Sequence, residues 1–570
     1  MKSTELQLYF KERIIELLHK DTLDSHRVRT HNVYSLIKEL YELITYWKNF
    51  QIKQFETVQL CVDEVKDAIE LDTCLDYSFY SKNLFKADLD DFRKYGEKEP
   101  AKTSKILMML DKCISFNKEK YLPTLILKIE KILFNPNDIP DDQFIPEIKN
   151  LDLLVSSFCC ELLHKGYSKV HLFVFFTKLI EKNSNNFNYI FNCLKAKFIA
   201  STKREFTIIF RLTIPQSILD LGSIPDIKTE IDKEYDIPEK YKKFIKPAQS
   251  RCFYIHKCYA SDTISAIKKS KEELASLLDI LHLGMSKLSV EIPNTALVIT
   301  TDGNNTTVYD RDTQFILDGS FSNDNSLSSR FKRDIDKIKN NEWISYSVKS
   351  RLESALRHLR VGDSSPELEQ KFINYWIALE FIFSSSEAKE STFTRLKINL
   401  INILTSCYAK RNLLSLNETL ISKREITSGT LYWERPDVED FINNIGSPLI
   451  RYRLKVMKAN LFKDKEKTKS FISKHESNLL WHLARIYRLR NELIHEAAIK
   501  HDIENVTSNL RYYLVFLLNQ LIVYFENVQP GKSVTLENFF YDYESWKKRI
   551  MEEYNFNTIM SVPVELDLLK

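Results

Sequence analysis

Arginine, asparagine and histidine stand at positions 490, 491 and 495 of the stretch RLRNELIHEA, residues 488–497. Histidine is the side chain whose ordinary pKa suits proton transfer near neutral pH, and a guanidinium is the preferred clamp for a phosphate that gathers charge. A pair of this kind can cleave RNA without a metal ion, because RNA carries its own nucleophile in the 2′-hydroxyl. On an ideal helix five residues turn the side chain by about 140°. His495 is therefore expected on a polar face near Asn491 and Arg488, while Arg490 falls elsewhere. Three arrangements stay open: the helix loosens near Asn491, Arg490 reaches around, or Arg488 supplies the cation.

The elements that would hold these residues follow from spacing. Ser473 and Glu476 have the form of a capping box, and LLWHLARIYRLRNELIHEAA reads as a helix of about five turns behind it. Its apolar stripe runs through Leu479, Leu483, Ile486, Leu493, Ile494 and Ala497, and Arg490 occupies one stripe position. An earlier helix, KFINYWIALEFIF, repeats the oddity, with Glu380 set among Phe372, Trp376 and Phe383. An isolated buried charge costs several kcal/mol, on the order of a domain's whole stability margin. Arg490 and Glu380 are therefore expected to meet as a buried pair, either to fix helix register or to serve chemistry.

The pattern R-N-x-x-x-H within YRLRNELIHE, preceded about 110 residues earlier by YWIALEFIF, resembles the HEPN domain in its Apea-like branch. The resemblance covers about 340–528. It implies a metal-independent endoribonuclease, without cofactor, in which two protomers pair so that both motifs line one cleft. His495 would handle the 2′-hydroxyl proton or the leaving 5′-oxygen, Arg490 would stabilise the phosphorane charge, and Asn491 would orient the histidine or the phosphate. Glu380 and Arg488 would support them. The products would be a 2′,3′-cyclic phosphate and a 5′-hydroxyl, with DNA spared. RNA is the implied substrate, transfer RNA being a family-level expectation. Chains that join such a domain to a large N-terminal region resemble bacterial anti-phage abortive-infection effectors, with a phage or stress trigger sensed by that region. The alternative is a non-catalytic HEPN-type binding or scaffold module.

Composition bounds the competing chemistries. The chain has 570 residues, 44% hydrophobic and 28% charged, enough for several domains with real cores. Of its ten glycines the closest two are Gly303 and Gly319, so no glycine-rich dinucleotide or P-loop is present. Nine cysteines are scattered without a C-x-x-C pair, which argues against structural zinc and suits a reducing compartment. A strand carrying Cys252, His256 and Cys258 is expected to splay them to alternate faces, so a core role is preferred over a metal. The charged N-terminus is unlike a signal peptide, and the most apolar runs, 510–525 and 170–176, fall short of the roughly 20 residues a membrane span needs. A cytoplasmic protein with no membrane partner is expected. With 82 basic and 78 acidic residues the net charge is only +4, so any nucleic-acid contact must be local, and the charge runs 268–273 and 330–341 read as solvated helix faces.

Along the chain, residues 1–200 show helical periodicity, with Gly166 placed as a C-cap and 135–146 as a loop. EFTIIFRLTI, SRCFYIHKCYA and TALVITTDGNNTTVYD read as strands around one helix, TISAIKKSKEELASLLDILHL. Prolines at 215, 225, 238 and 247 mark a long loop, Asn304 to Thr306 reads as a polar turn, and 318–334 reads as a linker. The expected fold is mainly α: a large N-terminal helical domain (1–200), a small α/β domain with linker (201–335), for which α+β stays open, and a C-terminal α-helical HEPN bundle (336–570).

Overall fold

The structure is a computed structural model that describes residues 4–20, 31–134, 144–183, 185–199, 203–213, 227–231, 235, 237–247, 251–284, 290–293, 295–300, 307–310, 325–385, 390–462, 464–495, 503–531 and 533–564. The fold is mainly α, as its periodicities require. The chain divides into two compact units: residues 1–2 with Phe158–Ile316, and Ser3–Ser157 with Leu317–Lys570. This partition differs from the one expected at 200 and 335. The N-terminal helices build one unit with the C-terminal bundle, through contacts that no local pattern announces.

In the smaller unit a five-stranded sheet is built from β1 (Arg204–Thr213), β2 (Ile227–Lys228), β3 (Arg251–Ala260), β4 (Thr295–Thr300) and β5 (Thr307–Asp310), in the order β2-β3-β1-β4-β5. Every neighbouring pair is antiparallel, so of the two alternatives the unit is α+β and not α/β. β1 separates β3 from β4, and the helix Thr263–Gly284 makes the crossover between those two. Phe206, Ile208, Phe210 and Leu212 face one core with Ala266, Ile267 and Leu274 of that helix, while Ile209 faces a second core with Ile237 and Phe244. A strand covered on both sides explains why TIIF is continuous rather than alternating.

Cys252, Tyr254, His256 and Cys258 do not splay. Their numbers share parity, so all four leave β3 on one side, and the two cysteines pack beside the helix Thr263–Gly284. His256 Nδ1 lies 2.9 Å from Ser270 Oγ. Both cysteines pack in the core, but from one side of the strand rather than from alternate faces. Gly166 does terminate the helix Phe144–His164: at φ 85° its N–H donates to Leu163 O, and Tyr167 N donates to Leu162 O at 3.1 Å.

In the larger unit the helix Glu5–Leu18 packs on Pro448–Leu461, and Phe55–Leu71 packs on Lys465–His495. Glu12 caps the former contact, its Oε2 accepting from Ser447 Oγ at 2.8 Å and Leu449 N at 3.1 Å. The helix Glu504–Glu526 is the axis of the bundle, buried continuously from Val506 to Ile522. Its burial on every side reflects this central position, and no helix among the described residues is long and apolar enough to cross a membrane. The expected linker is shorter than 318–334: a helix starts at Asn325, with Asp334 and Ile338 buried, and 318–324 lie outside the described residues. Most of the expected loop 135–146, the proline segment around 215 and 225, and the Asn304 turn also lie outside them, while Phe144 already opens a helix.

Candidate functional site

Arg490, Asn491 and His495 lie in the last two turns of a 31-residue helix, Lys465–His495, called here the motif helix. It begins at Asp464, whose Oδ1 accepts from Glu466 N at 3.0 Å and Lys467 N at 3.1 Å. The capping box expected at Ser473 is therefore an interior turn, because no glycine or proline between 465 and 495 interrupts helix propagation. Leu479, Leu483, Ile486 and Leu493 are buried as the stripe demands, but Ile494 is 43% exposed, and Ala497 lies outside the described residues.

Glu380 stands on the helix Leu368–Phe383, among the buried Phe372, Trp376 and Phe383. That helix meets the motif helix along one seam. Trp376 approaches Tyr487 at 5.9 Å between ring centroids, and Tyr487 stacks on Phe393 at 3.6 Å. One turn further on both helices, Arg490 Nη2 lies 3.3 Å from Glu380 Oε1. The expected pair exists, yet it is not buried: the Arg490 side chain is 22% exposed and that of Glu380 33%. Arg490 Nη1 donates to Asn491 Oδ1 at 3.1 Å, while its Nε has no hydrogen-bond partner. The His495 residue closes the motif helix, and its side chain lies outside the described residues.

Arg488 is not available to act in place of Arg490. It donates to Glu39 of the helix Val33–Lys48 and lies 3.8 Å from Glu492. Beside it Arg485, 9% exposed, grips Glu39 in a fork, Nε to Oε1 and Nη2 to Oε2 both at 2.8 Å. Its Nη2 also donates to Glu64 of the helix Phe55–Leu71 at 2.7 Å. His31 Nε2 lies 3.5 Å from Glu39. Burial would push the Glu39 carboxyl up, but Arg485, His31 and Arg488 outweigh it and hold the pKa well below the usual range. Glu64 goes the other way: burial raises its pKa, Arg485 offsets only part, and the Glu39 charge adds to the rise. Burial also sends the Cys61 thiol well above its ordinary value, so that group is inert.

Apart from Arg488, no local pattern in the sequence announces this cluster. Arg485, Arg488 and Glu492 recur at steps of three and four and form a polar stripe, which reads as a solvent face. The partner carboxylate that buries it sits 446 positions away, so a whole polar stripe next to an apolar one was the only available signal. No family model, no curated protein and no solved structure matches this chain. The HEPN resemblance therefore rests on the motif residues and their setting.

Proposed function

We propose that the chain is a metal-independent endoribonuclease of the HEPN type, whose catalytic residues are Arg490, Asn491 and His495. The observation that carries this reading is the state of Arg490. Of the three arginines in the last turns of the motif helix, Arg485 and Arg488 are consumed in an inward ion cluster. Arg490 lies outside that cluster, its side chain 22% exposed and braced by Glu380 and Asn491. A guanidinium positioned by two contacts and still partly exposed is suited to receive phosphate oxygens.

In the proposed reaction His495 takes the proton from the 2′-hydroxyl as that oxygen attacks phosphorus. Arg490 stabilises the charge on the pentacoordinate phosphorus oxygens, and Asn491 fixes the guanidinium. The 5′-oxygen leaves with a proton from the second histidine, which a homodimer supplies as the other copy of His495. The P–O5′ bond breaks as the P–O2′ bond forms, giving a 2′,3′-cyclic phosphate and a 5′-hydroxyl. RNA, including transfer RNA, is the substrate class, and a defence role with a trigger sensed by the N-terminal helices follows by analogy with such effectors.

The Arg490–Glu380 pair equally suits a register-fixing contact in a non-catalytic module. One experiment separates the two. The purified full chain is incubated with total cellular RNA in EDTA and the cleaved ends are analysed. Cleavage leaving cyclic phosphates, lost in His495→Ala, is expected; intact RNA with a folded dimeric protein would leave the module reading.

A further inference from the structure

Beside the candidate site, the helices Tyr346–Ser364 and Leu368–Phe383 form a tight hairpin. Gly362 permits the close approach, since a Cβ there would lie 2.5 Å from the Tyr375 ring. His358 sits at the edge of the first helix and stacks on Phe381 of the second, ring centroids 5.4 Å apart and planes 27° from parallel. Its Nδ1 lies 3.0 Å from Asn374 Oδ1, which can only accept, so Nδ1 donates and the ring is held in place. Phe381 is 39% exposed, so part of its ring stays accessible beside His358.

Arg357 and Arg360 continue this strip across the outer face of the first helix. Both are exposed, and among the described residues neither has an ion pair or hydrogen bond. The acids nearest them in sequence are engaged: Glu353 with Lys339 at 2.7 Å, and Asp363 with Arg511 at 2.8 Å. The strip thus carries an aromatic shelf and two exposed guanidinium groups that have no ion pair among the described residues. It adjoins the site through the chain itself, because Phe381 follows Glu380, the partner of Arg490, and projects about 100° from it.

We infer that this strip is a track for single-stranded RNA, with an unpaired base stacked on Phe381 and His358 and its flanking phosphates on Arg357 and Arg360. The inference rests on the ribonuclease reading for its purpose and on these four residues for its chemistry. Base–aromatic stacking tolerates any sequence, and guanidinium contacts to phosphate follow the backbone, so the track selects strand state rather than sequence. A duplex, whose bases are already stacked, gains nothing from Phe381.

The test uses the full chain and a labelled single-stranded 2′-O-methyl oligoribonucleotide, which lacks the attacking hydroxyl and stays intact. Fluorescence anisotropy in EDTA is followed across a salt series. Phe381→Ala should weaken binding by roughly tenfold or more. Arg357→Ala with Arg360→Ala should reduce the slope of log affinity against log salt by about 1.4, two single-strand phosphates' worth, while the paired lysine substitutions should keep it. Phe381→Ala should leave duplex binding unaltered. Unchanged affinity and slope in folded variants, or no binding by the parent, would overturn the track. If the unmodified RNA is cut while the track variants bind normally, only the track fails. If the track variants lose binding and the unmodified RNA is never cut, only the ribonuclease reading fails.

Discussion

Glu39→Gln is the most informative single substitution, because one carboxylate holds two arginines of the motif helix. Its Oε1 and Oε2 accept three donors from Arg485 and Arg488, and His31 stands 3.5 Å away. An amide preserves the volume and one acceptor but leaves Arg485 to Glu64 and Arg488 to Glu492 alone. Removing one partner of a buried ion pair costs about 3–5 kcal/mol, and the retained acceptor places this change near 3. At about 2.1 cal/mol/K per residue, the roughly 400 residues of the larger unit have an unfolding entropy of about 0.8 kcal/mol/K, so the melting midpoint should fall by about 4 °C. Because Glu39 is held well below its ordinary pKa, its contribution is complete above the unfolded carboxylate value near 4.5 and is lost as pH falls through the depressed one. The parent should therefore lose more stability than the variant between neutral and strongly acidic pH. Hydrogen exchange should quicken through 485–495, and RNA cleavage in EDTA should drop with it. A variant melting within 1 °C of the parent at neutral pH, with unaltered exchange in that helix, would refute the claim that the N-terminal helices hold the motif helix in place.

Glu64→Gln should cost less than half as much at neutral pH. The raised pKa of Glu64 means its favourable share is present below the unfolded value and is lost as pH rises through the folded one, which a pH series of thermal midpoints will show. His495→Ala should abolish RNA cleavage with its melting midpoint shifted by no more than about half a kcal/mol of stability, and an active His495→Ala protein would refute the catalytic assignment. Arg490→Ala should also abolish cleavage, but at a stability cost of about 1 kcal/mol or less, since 22% and 33% exposure places its pair with Glu380 near the surface class rather than the buried one. Gly362→Ala should destabilise by about 1–3 kcal/mol in urea unfolding, because the Tyr375 ring it would strike is fully buried and tied to Asp363 through its hydroxyl at 2.7 Å.

Much of this architecture was legible in the sequence wherever the signal was local. β1 and β3 fall within a residue of EFTIIFRLTI and SRCFYIHKCYA, Gly166 ends its helix, and the meeting of Arg490 with Glu380 followed from two interrupted stripes. The failures share a cause. Ser473 looked like a cap because a capping box is a three-residue pattern, whereas helix continuity is decided by the uninterrupted run from Lys465. The antiparallel sheet was hidden because strand direction depends on which strands become neighbours. The burial of Arg490 was overstated because a stripe position near a helix end need not reach the core.

The fate of three arginines spaced within six residues shows how the same side chain acquires different roles from its neighbours. Arg485 and Arg488 face carboxylates contributed from more than 400 positions away, and their charge is spent on holding helices together. Burial acts against both cations, and both are nevertheless held above the ordinary arginine pKa by Glu39. Arg490 is two residues further on, rotated by about 200°, and meets a single carboxylate at 3.3 Å in a half-open setting. The inward cluster fixes the rotation of the motif helix, and that rotation is what turns Arg490 toward Glu380. Anchoring and site are thus separate faces of one helix, which is why a substitution at Glu39, remote in sequence from the motif, is expected to lower cleavage and stability together, whereas His495→Ala should lower cleavage alone.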